Sequence, residues 1–223
     1  MTVLDPPIST LSAAMREGSQ LEHQDAEDSL FMSELLGGRV NETGYTDYLL
    51  RLRSVYEAME QIIRRRAGDP VVAAVHDEAL ERLGAIDADL AHWAPGRAAT
   101  DIDSPATDAY CDRLHRADEL ADEMAGLLVA HHYTRYLGDL SGGQAIGRIL
   151  DRTFELDGAG IAFYDFPAIP KPKLYKDAYR ARLDALGLSA GEVQRVVEEV
   201  KVAFRLNQAL FTELGKNIDG YRR

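Results

Sequence analysis

The chain has 223 residues, 46% of them hydrophobic, with 25 lysines and arginines against 37 aspartates and glutamates and a formal net charge of −12. Such an acidic chain is a poor nucleic-acid binder, and its single cysteine, Cys111, excludes an internal disulfide and a thiolate metal cage. No apolar run approaches the ~18 residues of a membrane span, and the N-terminal segment has no signal-peptide pattern. We therefore expect a cytoplasmic protein without a membrane anchor.

Helical periodicity extends along almost the whole chain. Ser104 before Pro105 and the capping box Ser189-x-x-Glu192 mark two helix starts. Only GIAFYDF (160–166) has the aromatic and apolar density of a strand. With no repeat or break in composition, the pattern predicts an all-α, single-domain multi-helix bundle over 1–223, with its core at about 8–215. The predicted helices are 10–28 (starting at Ser9 or Thr10), 30–36 before Gly37–Gly38, 45–63, 69–93 as one helix or two, 104–150 with a break near 117–122, 174–186 and 189–215.

His23 and Glu27 form the first pattern that could carry chemistry. They are four residues apart on the first predicted helix, so the carboxylate can reach the imidazole. Arg16 lies two helical turns earlier on a similar face. A neutral histidine held by a neighbouring polar group is the arrangement that a metal ligand needs. The same spacing is typical of a surface pair on an acidic helix, and this stretch alone favours the surface pair.

The second pattern is YLGDLSGGQ (136–144), which places Gly138, Gly142 and Gly143 inside an otherwise helical stretch. Each glycine within a helix costs about 1 kcal/mol relative to alanine, so three close together need a reason. Two reasons are open: close packing of two helices through small residues, or a flat ligand lying against bare backbone. Asp139 stands between the glycines and Arg135 is one turn earlier, so polar groups are available beside such a ligand.

These segments together resemble a known family. LLVAHHYTRYLGDLSGGQ (127–144) closely resembles the signature of the heme oxygenases. His23-Gln24-Asp25-Ala26-Glu27, followed by Phe31-Met32, is similar to the segment around that family's heme-ligand histidine. LYKDAYRARLDAL (174–186) and VKVAFRLNQALFTEL (200–214) look like its closing segments. The resemblance runs in order, with compatible spacing, from about residue 8 to about residue 215.

The resemblance implies a heme sandwiched between a proximal helix, which carries the iron ligand, and a kinked distal helix. His23 takes the position of the iron ligand, and Glu27 that of the residue that orients its imidazole. The distal glycines let the backbone approach the heme face and let the helix kink. These glycines are Gly138, Gly142 and Gly143.

The resemblance also implies a proton-delivery network on the distal side. The family has a carboxylate at the position of Asp139, which delivers protons through ordered water. Tyr56, Tyr133 and Arg135 match positions in the hydrogen-bonded network around it. Oxygen activated at the heme must attack a meso carbon of the ring, and a peroxidase-like acid–base pair above the iron would promote a different cleavage.

Heme carries two propionates, whose carboxylates need cations at the rim of the site. Arg16, Lys176 and Arg180 match the family's propionate contacts, although a lysine is usual at the position of Arg16. Without the resemblance, Lys176 and Arg180 would be interpreted as a solvated basic helix face, and the phenylalanines below as core residues. The positions that match the pocket wall are Met32, Phe204, Asn207 and Phe211.

The activity implied by the resemblance is oxidative cleavage of heme b, which is both substrate and cofactor, by O2 to biliverdin, ferrous iron and carbon monoxide. The chain has no GxGxxG fingerprint after a strand, so the electrons must come from a reducing partner. A ferredoxin or flavodoxin with its reductase is such a partner. The chain is similar to the soluble, bacterial-type members of the family.

Two other functions stay open from the sequence. A non-enzymatic heme carrier would bind heme through His23 in the same way. A ferritin-like di-iron bundle is the other, because Asp89-x-x-His92 and Asp112-x-x-His115 have metal-binding spacing; the usual Glu-x-x-His is missing from the chain. The other histidines, expected to be structural or surface residues, are His76, His92, His115, His131 and His132.

Overall fold

The computed structural model describes residues 10–98, 100 and 102–223. Over these residues the chain has no β-strand, apart from a single bridge between Val40 and Arg222. Two short 3-10 turns lie at Glu78–Leu80 and Ala162–Tyr164, and a five-residue π-helical segment lies at Asp139–Gly143. The α-helices are α1 Leu11–Gly18, α2 Gln20–Glu27, α3 Leu30–Leu36, α4 Glu42–Arg65, α5 Pro70–Ala73, α6 Leu83–Trp93, α7 Pro105–Glu119, α8 Ala121–Met124, α9 Gly126–Gly138, α10 Gln144–Phe154, α11 Pro172–Asp184, α12 Ala190–Gly215 and α13 Ile218–Tyr221.

Side-chain caps fix where the long helices begin. The Asn41 side chain accepts a hydrogen bond from the Gly44 N–H at the start of α4. Ser104 caps α7 ahead of Pro105, and the predicted capping box at Ser189 is present at the start of α12. Each such cap satisfies an otherwise unpaired backbone N–H and is worth about 1 kcal/mol.

The two longest helices, α4 and α12, form the centre of an all-helical bundle. Helix α12 packs against α9, α2, α1, α3 and α7, whereas α4 packs against α7 and α6. One continuous apolar core fills the space between them, and it includes fully buried tyrosines from α4, α7, α9 and α11. None of the described helices combines the length and the apolar composition that a membrane crossing requires. This packing brings α2, α9 and α12 together around the site.

The structure corrects the first predicted helix. It is two helices, α1 and α2, separated at Ser19, whose backbone leaves the helical region (φ −120°, ψ 16°). The Ser19 hydroxyl donates to the Met15 carbonyl at 2.7 Å, a local bond with which serine competes with regular helix geometry. Thr10 is the N-cap of α1, and the alternative start at Ser9 lies outside the described residues.

Residues 160–166, the segment with the aromatic and apolar density of a strand, form no strand, in agreement with the all-α prediction. This segment contains the 3-10 turn Ala162–Tyr164. The backbone N–H groups of Ala162 and Phe163 donate to the Asp89 carboxylate at 2.7 and 2.8 Å. A distant side chain therefore takes the place of a partner strand, which no local pattern in the segment could indicate.

The glycine-rich segment is where the long helical stretch after α8 changes geometry. Residues 139–143 form a π-helical turn between α9 and α10. Such wide turns are a recognised cause of helix kinks and occur mostly at functional sites. The predicted distortion at the glycines is therefore present.

Candidate functional site

Two adjoining cavities lie where α2, α9, the π segment and α12 meet. The larger has a volume of about 580 Å³ and the smaller about 130 Å³. Another cavity, between α4 and α6, has a comparable volume of about 450 Å³ but contains none of the predicted site residues. We therefore take the pair as the candidate site. Residues that line both of its cavities are His23, Glu27, Thr134, Gly138, Gly142 and Phe204.

His23 presents its imidazole to these cavities from α2. Its side chain is 51% exposed, and its ring packs edge-on against Phe204, with 5.2 Å between the ring centroids. The nearest carboxylate oxygen, Glu27 Oε1, is 3.6 Å from Nε2, which is longer than a hydrogen bond. An accessible imidazole held by an aromatic ring and flanked by a carboxylate has the donor chemistry of an iron ligand.

The glycines decide between the two interpretations of their segment. A Cβ added to Gly138 or Gly142 would meet no atom of another part of the described structure within 4 Å. By contrast, a Cβ on Gly126 would lie 2.7 Å from Val196 Cγ2, and one on Gly143 would lie 3.3 Å from Tyr164 Cδ1. Gly126 is therefore a packing glycine, whereas Gly138 and Gly142 leave bare backbone facing open cavity. A flat ligand fits this surface, and helix packing does not explain it.

A buried hydrogen-bonded network lies behind this bare surface. Tyr56, from α4, donates a hydrogen bond to Asp139 Oδ2. Arg135 Nε donates to the Tyr56 hydroxyl at 3.1 Å, and its Nη1 donates to Asn207 Oδ1 at 2.6 Å. All four residues are less than 10% exposed. The structure therefore brings Asp139, Tyr56, Arg135 and Asn207 into one network, as expected for the first three.

Burial controls the proton affinity of this network. Burial raises the pKa of the Asp139 carboxyl, and the nearby Arg135 guanidinium and the hydrogen bond from Tyr56 act in the opposite direction. Burial also raises the pKa of Tyr56 well above its usual value. The Tyr56 hydroxyl therefore stays protonated, and Asp139 holds a proton at a higher pH than an exposed aspartate does.

Tyr133 lies in a different place from the one expected. Among the described residues it has no hydrogen bond to the network around Asp139. Instead it lines the larger cavity together with Arg16 and Arg180. Burial raises the pKa of Tyr133, whereas the two arginines lower it, which places its hydroxyl near the cations. The side chain is part of the cavity rim.

The rim cations are only partly free. Arg16, on α1, and Arg180, on α11, both line the larger cavity. Lys176 lines neither cavity: its ammonium donates to Ser141 Oγ at 2.8 Å and to the Leu140 carbonyl at 3.4 Å. Since Ser141 is a lining residue, Lys176 lies one side chain away from the cavity. A ligand carboxylate would have to displace that contact to reach it.

The predicted wall residues line the smaller cavity, and aromatic residues missed from the sequence complete it. Tyr48 lies eight residues before Tyr56 on the same face of α4, a spacing that could have indicated it. Phe163 and Tyr164 come from the segment with strand-like composition, where no local signal pointed to the cavity. The predicted wall residues are Met32, Phe204, Asn207 and Phe211.

The alternative metal motif is not supported by the structure. The Asp89 carboxylate accepts two backbone N–H groups from 162–163, which gives it a structural role. Among the described residues, no group of three or more histidine, cysteine, aspartate or glutamate side chains could hold a metal ion. The di-iron interpretation therefore lacks its ligand set.

The fold and the site define an all-helical protein in which an accessible histidine, a bare distal backbone and rim cations surround a cavity for a flat anionic ligand. Residues 9–213 match the family model described as heme oxygenase. Heme oxygenase 1 of Rattus norvegicus is 40% identical over 215 residues, which are 95% of this chain and 73% of that protein. The heme oxygenase of Pyropia yezoensis is 38% identical over 212 residues, 94% of this chain and 88% of that protein.

Solved structures agree with this result. The heme oxygenase of Leptospira interrogans has a TM-score of 0.86 at 36% identity and covers 92% of this chain and 100% of that one. Heme oxygenase-1 of Synechocystis sp. PCC 6803 in complex with heme has a TM-score of 0.88 at 33% identity, covering 95% of both chains. The chain belongs to the heme oxygenase family, whose members are enzymes that degrade heme.

Proposed function

We propose that this protein cleaves heme b to biliverdin, ferrous iron and carbon monoxide, with O2 as oxidant and heme as both substrate and cofactor. The observation that carries the proposal is the cavity where the accessible His23 meets the bare backbone of Gly138 and Gly142, with the buried Asp139 behind it. A globin-like carrier has no need for a buried carboxyl with a raised pKa beside the ligand. Such a group suits an enzyme that moves protons.

His23 is the iron ligand in this proposal, and Glu27 orients its imidazole. The 3.6 Å separation between His23 Nε2 and Glu27 Oε1 leaves the ring free to turn toward the substrate. Gly138 and Gly142 let the opposite helix approach the other face of the macrocycle, since any side chain there would occupy the substrate's space. Phe204 supports the imidazole through its edge-on contact.

Asp139 holds and delivers protons on the reacting face. Its burial favours the protonated carboxyl, and Tyr56 keeps that carboxyl in one orientation. Arg135 holds the Tyr56 hydroxyl through the bond at 3.1 Å, and Asn207 holds Arg135 by accepting its bond at 2.6 Å. Ordered water between Asp139 and the substrate completes the path, so the acid stays out of direct contact with the iron.

The rim cations bind the propionates and select the carbon that is opened. Arg16 and Arg180 form charge-assisted bonds to them directly, and Lys176 joins when a propionate replaces Ser141 as its partner. These contacts set the rotation of the macrocycle in its plane. The alpha meso carbon is the expected position of attack.

Electrons come from a ferredoxin or a flavodoxin with its reductase, in the cytoplasm. The chain is acidic overall, yet the cations at the cavity rim form a local basic surface that suits an acidic donor. Screening by salt weakens such encounters. Turnover with such a donor should therefore fall as the salt concentration rises, and a rate that stays flat would count against the rim as the docking surface.

The test of the proposed function is optical. Heme is added to the purified protein, and a reductant is then supplied in air. The enzyme loses its Soret band while biliverdin appears, and the product is identified by chromatography. A Soret band that persists through reduction and reoxidation would identify a heme carrier and overturn the proposal.

A further inference from the structure

A buried ring pair bridges the distal helix α9 and the rim helix α11. His132 Nδ1 and the Tyr179 hydroxyl are hydrogen-bonded at 2.8 Å. Their rings are nearly parallel, with 8° between the planes and 5.8 Å between the centroids. The two residues are 2% and 0% exposed, so the contact is fully inside the protein.

The ring pair lies immediately behind the cavity rim. Tyr133, the residue after His132, and Arg180, the residue after Tyr179, both line the larger cavity. The ring pair therefore lies between the two helix segments that carry these lining residues. Close-packed side chains of this kind transmit a change in volume to the helices around them.

The rest of α11 is held independently at its C-terminal end. Asp184 accepts hydrogen bonds from the Ser12 N–H and hydroxyl at 2.8 and 3.0 Å, and Arg182 Nε donates to the Ala74 carbonyl at 2.7 Å. The N-terminal half of α11 is tethered through Lys176 to Ser141 and through Tyr175 to Asp77. Removal of the spacer would therefore shift the middle of the helix, which carries Arg180, toward α9. It would not release the helix.

His132 is uncharged in this place. Burial lowers the pKa of its imidazole to about 3, with smaller contributions in the same direction from His76 and Arg182. A third ring, that of Tyr136, lies 4.5 Å from His132 between centroids. The spacer is therefore a rigid neutral stack at physiological pH, with no charge to attract water into the helix interface.

We propose that the His132–Tyr179 pair is a positioning device that sets the distance between Tyr133 and Arg180, and with it the in-plane orientation of the macrocycle and the meso carbon that is opened. The inference rests on the proposed function, since it concerns the same site. His132 and Tyr179 do not touch the substrate; they act through the rim residues that follow them in the chain.

The experiment compares His132→Ala, which removes the spacer, with His132→Phe, which keeps a ring and loses the hydrogen bond. The first readout needs no turnover: the shifted heme-methyl resonances in the proton NMR spectrum of the ferric, cyanide-bound protein report the in-plane orientation. The second is the ratio of biliverdin isomers. For His132→Ala we expect a second set of resonances and about a tenfold rise in minor biliverdin isomers. A change of this size corresponds to the loss of about one side-chain contact's contribution to the preference for one heme orientation. For His132→Phe we expect the wild-type pattern.

Two further variants make the result specific. Tyr179→Leu removes the spacer from the other side and should behave like His132→Ala, which covers the case in which that variant does not fold. Tyr175→Leu removes another α11 tether, the hydroxyl bonded to Asp77 at 2.7 Å, and should leave the isomer ratio unchanged. Equal scrambling in Tyr175→Leu, or in His132→Phe, would overturn the assignment to the ring spacer.

The two proposals fail in different ways. A wild-type protein that makes no biliverdin contradicts the proposed function, while the NMR spectra still test the ring pair. A wild-type protein that makes one biliverdin isomer, with identical spectra and isomer ratio in His132→Ala and Tyr179→Leu, contradicts the ring pair alone.

Discussion

Tyr56 and Asp139 are hydrogen-bonded inside the protein, although the two residues are 83 positions apart in the chain. The bond fixes the carboxyl at the edge of a cavity whose nearest distal surface is glycine backbone. A proton donor is therefore held at the cavity edge, while Gly138 and Gly142 place no side chain in the cavity.

Loss of the Asp139 carboxyl should separate binding from chemistry. We predict that Asp139→Ala and Asp139→Asn bind heme with wild-type affinity, because in the proposed function His23, and not Asp139, is the iron ligand. Biliverdin formation should fall by about 100-fold or more, the usual contribution of a positioned proton donor. Single-turnover spectra with product analysis measure this, and a biliverdin yield equal to wild type would remove Asp139 from the mechanism.

Replacement of Gly138 by alanine should increase the stability of the heme-free protein and weaken heme binding. Its backbone is helical (φ −62°, ψ −50°), so Gly138→Ala should stabilise the heme-free protein by about 0.5–1 kcal/mol. The added methyl group projects into the cavity and should weaken heme binding. Thermal unfolding and heme titration measure the two effects.

Gly84→Ala is the matched control for that variant. Gly84 is another helical glycine at which a Cβ meets nothing within 4 Å, but it lies outside the heme cavities. It should gain stability without loss of heme affinity. If both alanine variants bind heme as tightly as wild type, the bare backbone is not a heme surface.

His23 should be the residue that gives the bound heme its spectrum. We predict that His23→Ala loses the histidine-ligated Soret and visible bands and most of the turnover, since no other histidine lines either cavity. His115→Ala, which changes an exposed histidine on α7, is the control and should match wild type. Retention of the wild-type spectrum and activity in His23→Ala would contradict the assignment of His23 as the iron ligand.

His132 should make the fold sensitive to acid. Its folded-state pKa of about 3 lies below the ordinary histidine pKa of 6.5, so the unfolded chain binds more protons between these two values. The contribution of neutral His132 to the stability of the fold is complete above about pH 6.5, and it falls with decreasing pH by up to about 1.4 kcal/mol per pH unit toward pH 3. Urea unfolding of wild type and His132→Phe across this range should show a shallower slope in the variant. Parallel slopes would contradict the buried neutral imidazole.

Local signals predicted the helices well, because caps and apolar periodicity are properties of neighbouring residues. Ser104, Ser189 and the break after Glu119 are examples. The break at Ser19 was missed because its cause is one side chain turned back on its own helix. The turn at 162–164 could not be predicted from its own residues, because the side chain that binds its backbone, Asp89, is over seventy residues away.

The site residues, like the helices, could be predicted where their signal lies in neighbouring residues. His23, Asp139 and Gly138 carry their signal in short motifs, and the structure places all three around the same cavity. The sequence could not predict the surroundings of Tyr133 and Lys176. The position of Tyr133 depends on where α9 meets the cavity rim. The contact of Lys176 depends on the Ser141 hydroxyl in the π segment.

The most direct measurement is the yield of biliverdin per heme in one turnover of the wild-type complex, with reductant, air and catalase present. Catalase removes free hydrogen peroxide, so only ring opening inside the protein contributes. We predict close to one biliverdin for each heme, with iron and carbon monoxide released in step with loss of the Soret band. A Soret band that persists, or one that bleaches without biliverdin, would contradict the assignment of this cavity as a heme-cleaving site.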